Sequence, residues 1–202
     1  MIWPLQEIYK GKDVFILGSG PSVKRFSLHR LKEQIVIGCN NAYLFGTDIV
    51  DVLIFGDVDW WNFHKDKPAL RGFQNPIITN NEKLRNEPGI TWAPRQAEGF
   101  HKYAIGWNGN TGSAAINLAL LLGAARIFLI GFDMQLTDGR SNWHRNDIDD
   151  VTPGHYERYL GCMKQSLSQL YKNWPQVEIT NLNPNSAMDL FPKATWEEAF
   201  EQ

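Results

Sequence analysis

The apolar run Val14-Phe15-Ile16-Leu17 stops abruptly at Gly18-Ser19-Gly20-Pro21-Ser22, and that junction constrains the chain more than any other stretch. An apolar run that ends at glycines and leads into an amphipathic segment predicts a buried strand, a tight turn and a helix. Such a junction aims backbone N–H groups, and the positive end of a helix dipole, at one spot beyond the strand's carboxyl end. Glycines let a ligand approach the backbone closely, which suits a phosphate or another anion. The spacing is not G-x-G-x-x-G, so the dinucleotide fingerprint is absent. Taken alone, the loop reads equally well as an ordinary strand–helix turn.

Further apolar runs alternate with helical patterns, which predicts an α/β fold with a largely parallel sheet covered on both faces. Strands are expected at 13–17, 34–39, 52–55, 76–79, 126–130 and 177–180, with a weaker one at 90–93. Asn110-Thr111-Gly112-Ser113 reads as a capped helix start, followed by an apolar segment over 114–122 and closed by Gly123. That segment is apolar almost all round, so the helix belongs in the interior. A second helix is expected over 153–171, where Leu160, Met163, Leu167 and Leu170 recur at helical spacing. Two long loop-rich stretches, 92–109 and 132–152, remain, and the second is expected to be an active-site loop or lid. The whole of 1–202 is read as one nucleotide-binding domain.

Composition removes several classes of function. The formal net charge is −2 and no Lys/Arg block exceeds two residues, so nothing suggests a nucleic-acid partner. Cys39 and Cys162, the two cysteines, have no metal-type spacing and fit a reducing compartment. Met1-Ile2-Trp3-Pro4 is not a basic-then-apolar leader and no apolar run reaches spanning length, so a cytoplasmic protein is expected, with no membrane span. The eight tryptophans are scattered, which favours packing over a sugar-stacking array. No nucleophile elbow, P-loop or H-E-x-x-H occurs.

In an open α/β sheet, ligands bind outside the carboxyl ends of the strands. Polar residues collect at those ends here. Asn40 and Asn41 follow the second strand, and their amides can read a base or a ribose. Asp57 and Asp59 follow the third as a D-x-D, which could hold Mg²⁺ or Mn²⁺ or simply cap the next helix. Asn110, Thr111, Gly112 and Ser113 offer hydroxyls and N–H groups at a helix start. Asp133 adds a carboxylate after the 126–130 strand. His144, in the long loop, and His155, at the start of the following helix, are the candidate general bases. His29, His64 and His101 sit in ordinary contexts and read as structural or surface residues.

In order along the chain, G-S-G-P-S, I-G-C-N-N, N-T-G-S-A, L-I-G-F-D and N-P-N-S resemble the motifs of the glycosyltransferase family 42 sialyltransferases. The same order is similar to the wider MptE-like group, which has phage-encoded members and is named for archaeal 6-hydroxymethylpterin diphosphokinases. The resemblance spans about residues 13–190. It implies a single Rossmann-like domain, a GT-A-like variant, that binds a CMP-activated sugar. By position, the loop Gly18, Ser19, Gly20, Pro21 and Ser22 would face phosphate or ribose, and Asn40, Thr111, Gly112 and Ser113 the cytidine. Asn185 and Ser186 match a C-P-N-S segment of the family. The family's general base falls in the segment that holds both His144 and His155. Where those sialyltransferases carry I-D-F-Y this chain has Phe132-Asp133-Met134-Gln135, and Tyr156 or Tyr159 would have to fold back to replace the missing tyrosine.

The expectation is therefore transfer of a sugar from a nucleotide-activated donor, a CMP-sugar, to a hydroxyl of a small-molecule or glycan acceptor. One alternative is diphosphate transfer from ATP, with Asp57 and Asp59 holding Mg²⁺. The other is a nucleotide-binding protein without chemistry. Self-association into a homo-oligomer is compatible with either.

Overall fold

The computed structural model describes residues 6–144 and 151–201. Residues 1–5, 145–150 and 202 lie outside the described residues, and with them the Met1-Ile2-Trp3-Pro4 segment and the middle of the 132–152 loop.

In chain order the elements are β1 (Asp13–Leu17), β2 (Ile35–Cys39), β3 (Val52–Phe55), α1 (Val58–His64), α2 (Pro68–Arg71), β4 (Ile77–Thr79), β5 (Thr91–Trp92), β6 (Arg95–Gln96), β7 (Ile105–Gly106), α3 (Thr111–Leu121), β8 (Arg126–Ile130), α4 (Pro153–Asn173) and β9 (Glu178–Asn181). Seven strands form one sheet in the order β5-β4-β3-β2-β1-β8-β9, every pairing parallel. β6 and β7 pair separately. Strand ends shift from expectation for local reasons. Gln34 is held out of β2 because its N–H closes a turn onto the Leu31 carbonyl. Pro76 has no N–H to give β4. Pro88 and Pro94 bracket β5 and keep it short.

Parallel strands are buried on both faces, and alternate residues feed two separate cores. Val14 and Ile16 pack with α3 and with Met163 and Leu170 of α4, whereas Phe15 and Leu17 pack with Trp60, Trp61 and Trp196. From Ser113 to Leu120 every residue of α3 is buried, as its all-round apolar sequence demands. Most tryptophans are thus packing residues.

The helix expected behind Gly18–Ser22 does not form. Pro21–Arg25 make a short 3-10 turn and Leu28–Glu33 another. The reason lies outside the segment: Asp133 binds both the N–H and the hydroxyl of Ser22, which pins this turn to the loop after β8. Among the described residues no helix is long and apolar enough to cross a membrane.

Candidate active site on the carboxyl rim

β1 lies between β2 and β8, so the chain leaves it first to one side and later to the other. Such a switch point opens a crevice at the strands' carboxyl ends. Here it holds a cavity of about 560 Å³, lined by Gly18, Ser19 and Gly20 after β1. Cys39 and Asn40 from β2, Asp57 after β3, the start of α3, Asp133 after β8 and the outer face of α4 complete it.

The glycine loop is built for a different contact from the one its sequence suggests. The N–H groups of Gly18 and Gly20 donate to the carbonyls of Ile130 and Gly131, both at 2.8 Å. A Cβ on Gly20 would stand 2.6 Å from the Gly131 carbonyl oxygen and 2.7 Å from Asp133 Cγ. These glycines let two strand-end loops cross, and the loop keeps only the Ser19 N–H without an acceptor among the described residues. Pro21 and Ser22 turn away from the cavity. Trp143 covers the loop, donating its N–H to the Ser19 carbonyl and its indole N–H to that of Gly18.

The anion-binding geometry sits instead at the start of α3. Asn110 caps the helix, its Oδ1 accepting the Ser113 N–H at 2.8 Å. The Thr111 and Gly112 N–H groups have no acceptor among the described residues, and Asn110, Thr111 and Gly112 all line the cavity. Two free N–H groups at the positive end of an eleven-residue helix form a ready site for a phosphate. Ser113 is buried, with its hydroxyl on the Asn110 carbonyl.

Asp133 organises the rim. Its carboxylate accepts from Ser22 and, at 2.9 Å, from the Asn183 amide. Ser186 donates its hydroxyl to the Phe132 carbonyl at 2.6 Å, so the Asn183-Pro184-Asn185-Ser186 segment latches onto the strand end behind the site. Asn185 is exposed and does not line the cavity.

Tyr156 and Tyr159 do reach it, together with Arg158 and Cys162. Spacing of i, i+3 and i+6 on α4 puts Tyr156, Tyr159 and Cys162 on one stripe beside its buried Met163 and Leu170 stripe. That helical period is legible in the sequence. Burial first, then the charge of Asp133, pushes the Tyr156 phenol up to about 12, which leaves it a hydrogen-bond donor. Its hydroxyl reaches only a distant carbonyl, that of Ser141 at 3.4 Å. Burial likewise raises the Cys39 thiol to about 12, so it is unreactive as a thiolate.

Trp107 and Glu98 form the remaining wall and have no sequence signal, because they come from the irregular 92–109 stretch. Buried amides hold that stretch in place. Asn108 binds both the N–H and the carbonyl of Gly99, and Asn117 of α3 accepts from the N–H groups of His101 and Gly106.

Neither candidate base lines the cavity. The Trp60 indole N–H donates to Asn41 Oδ1 at 2.7 Å, which turns the Asn41 amide NH₂ toward His144 Nδ1 at 3.2 Å. Both ends of the Asn41 amide are thus engaged within the protein, and Asn41 does not line the cavity. His144 faces an adjoining cavity that shares Ser141, Asn142 and Val151 with the first. His155 completes a capping box, with Nδ1 accepting the Thr152 N–H at 3.0 Å. In both rings the neutral form then carries its proton on Nε2.

Asp57 occupies the cap position of α1, but its side chain makes no capping bond and looks into the cavity. Burial raises its pKa, the Arg95 charge opposes the rise, and Asp59 adds to it. Asp59 does not line the cavity, and among the described residues no three His, Cys, Asp or Glu side chains come together as a metal-binding group.

No protein-family model matches the chain, and no curated protein does either. Solved structures do. The fold is that of a sialyltransferase. CstII from Campylobacter jejuni in complex with the substrate analogue CMP-3FNeuAc superposes with a TM-score of 0.57 at 16% identity, covering 91% of this chain and 86% of that one. The same sialyltransferase with cytidine-5'-monophosphate gives 0.59 at 16% identity, over 92% and 86%. The monofunctional alpha-2,3-sialyltransferase Cst-I from that organism gives 0.60 at 17% identity, over 91% and 80%. The likeness bears out the Rossmann-like, GT-A-like parallel sheet.

Proposed function

We propose that the protein is a glycosyltransferase of the family 42 type, moving a sugar from a CMP-activated donor to an acceptor hydroxyl. The observation that carries this reading is the pairing, across one cavity, of the free Thr111 and Gly112 N–H groups with the Tyr156 hydroxyl. All three are donors; the two N–H groups have no acceptor among the described residues, and the phenol has only the Ser141 carbonyl at 3.4 Å. In glycosyl transfer the sugar–phosphate bond breaks as the acceptor oxygen attacks, and negative charge collects on the departing phosphate. Fixed donors aimed there stabilise that charge, commonly the largest catalytic contribution. The fold likeness supports the same reading, since CstII is seen with CMP and a CMP-sugar analogue.

The acceptor proton goes to His144 or His155. In sequence His144 precedes 145–150 and His155 follows it, and each lies within two residues of a cavity-lining residue, Asn142 or Tyr156. Whichever acts must release its present Nδ1 partner, Asn41 or Thr152. Loss of the transfer rate in H144A or in H155A, with CMP affinity kept, identifies the base.

Thermal unfolding with CMP, UDP, GDP or ATP, each with Mg²⁺, Mn²⁺ or EDTA, tests the reading. CMP at about 100 times its Kd should add roughly 2.7 kcal/mol, and the shift should survive EDTA. Stabilisation by ATP that requires Mg²⁺ would replace the reading with diphosphate transfer of the MptE-like kind. No shift with any nucleotide would overturn it.

A further inference from the structure

The cavity has a corner that the phosphate chemistry leaves unused. Asp57 opens into it from the end of β3, its carboxylate with neither a hydrogen bond nor an ion pair among the described residues. Arg95 is close enough to be felt by the carboxylate, but its guanidinium is stacked on the Trp107 ring at 4.3 Å. On the neighbouring strand end Asn40 lines the same cavity, held at a left-handed φ of 50°, and its Oδ1 is buried with no partner. Behind them Asn80 is fully buried, and both ends of its amide are without a partner. Its Oδ1 lies 3.3 Å from the Cβ position of Gly56, the residue before Asp57, where the Trp107 ring also packs. Unpartnered buried polar atoms cost stability and call for an explanation.

The Asp57 carboxylate is an oxygen acceptor on the cavity wall, with the buried Asn40 Oδ1 on the neighbouring strand end, and a carboxylate can only accept. A ligand segment that satisfies the carboxylate must bring donors. A phosphate or a carboxylate would be repelled. A pair of adjacent hydroxyls fits, because the two oxygens of one carboxylate can each take an O–H. The strand order supplies the scale: β3 lies two strands from β1, about 10 Å from the glycine loop at ordinary strand spacing. That is the reach from a phosphate to the hydroxyls of a sugar ring joined to it.

Resting on the glycosyltransferase reading, we propose that Asp57 is a substrate-binding residue that takes a vicinal diol of the nucleotide-sugar and so fixes which end of the ligand lies over β2 and β3. The diol belongs either to the nucleoside ribose or to the transferred sugar. Trp107 forms the apolar wall beside it. Asp57 thereby acts as a specificity determinant and not as half of a metal site.

Calorimetric titration of CMP, 2',3'-dideoxy-CMP and CMP-N-acetylneuraminate into the wild-type protein, D57N and D57A decides the matter, with steady-state kinetics alongside. A ribose diol predicts that D57N binds CMP about 10-fold more weakly, and that dideoxy-CMP binds wild type and D57N alike. A sugar diol predicts equal CMP affinity in both proteins and a 10-fold loss confined to the CMP-sugar, seen as KM with kcat kept. Unchanged affinity for all three ligands in both variants would overturn the proposal and leave the glycosyltransferase reading standing. A kcat collapse at unchanged KM would also overturn it, because that marks a proton acceptor. If wild type binds none of the three, both readings fall.

Discussion

The Asp133 carboxylate accepts both the backbone N–H and the side-chain hydroxyl of Ser22, across 111 residues of sequence. With the Asn183 amide as its third donor, this one buried side chain joins the loops that follow β1, β8 and β9. The floor of the cavity is therefore a single hydrogen-bonded unit.

Replacing Asp133 by Ala strands three buried donors. Hydrogen bonds to a charged group are each worth about 1.5–3 kcal/mol, so D133A should lose at least about 3 kcal/mol of stability. For a domain near this size that is a fall of roughly 6–12 °C in Tm. S22A removes one of the three bonds and should cost less than half as much. Denaturant unfolding of both variants checks the ranking; equal losses would mean that Ser22 carries the network alone.

Tyr156 tests the leaving-group assignment. Removing one donor from a site of developing negative charge costs on the order of 10²-fold in kcat. Y156F should show a loss of that size with CMP affinity nearly unchanged. Because its pKa is pushed up to about 12, the phenol stays protonated through the working range. The wild-type pH–rate profile should accordingly contain no limb that Y156F abolishes below pH 10.

Asp57 should weaken the fold while serving the site. Burial raises its pKa above the unfolded value. Between the two values the folded state holds more protons than the unfolded one, so stability falls as pH rises through that window. Neutral Asn at this position escapes the penalty. D57N should melt higher than wild type at pH 7, and the difference should vanish as the pH drops below the ordinary carboxylate range. A D57N protein that melts lower at pH 7 would mean that Arg95 already compensates the charge.

The legible part of this protein is its sheet. β1, β3 and β8 appear with the expected bounds, because an unbroken apolar run ended by glycine or aspartate has few other ways to be buried. The α3 cap was equally readable, since an Asn-Thr-Gly-Ser start acts on its own N–H groups within one turn. Tyr156 and Tyr159 needed only the helical period of α4. Trp107 was not readable, because amides from α3 and the preceding loop place it and no local pattern encodes them.

By itself the sequence determined the main strands of the parallel sheet, the helices α3 and α4, and the list of polar residues gathered at the strand ends, because each depends on interactions spanning a few residues. Only the tertiary structure decided which of those residues hold the fold and which remain free for a ligand. Gly18, Gly20, Ser22 and Asn183 bond to segments far away in sequence, whereas Thr111, Gly112, Asp57 and Asn40 keep polar atoms unpaired. A hydrogen-bonding group looks the same in sequence whether its partner is the protein or a substrate; the difference lies in what the folded chain brings within about 3 Å of it.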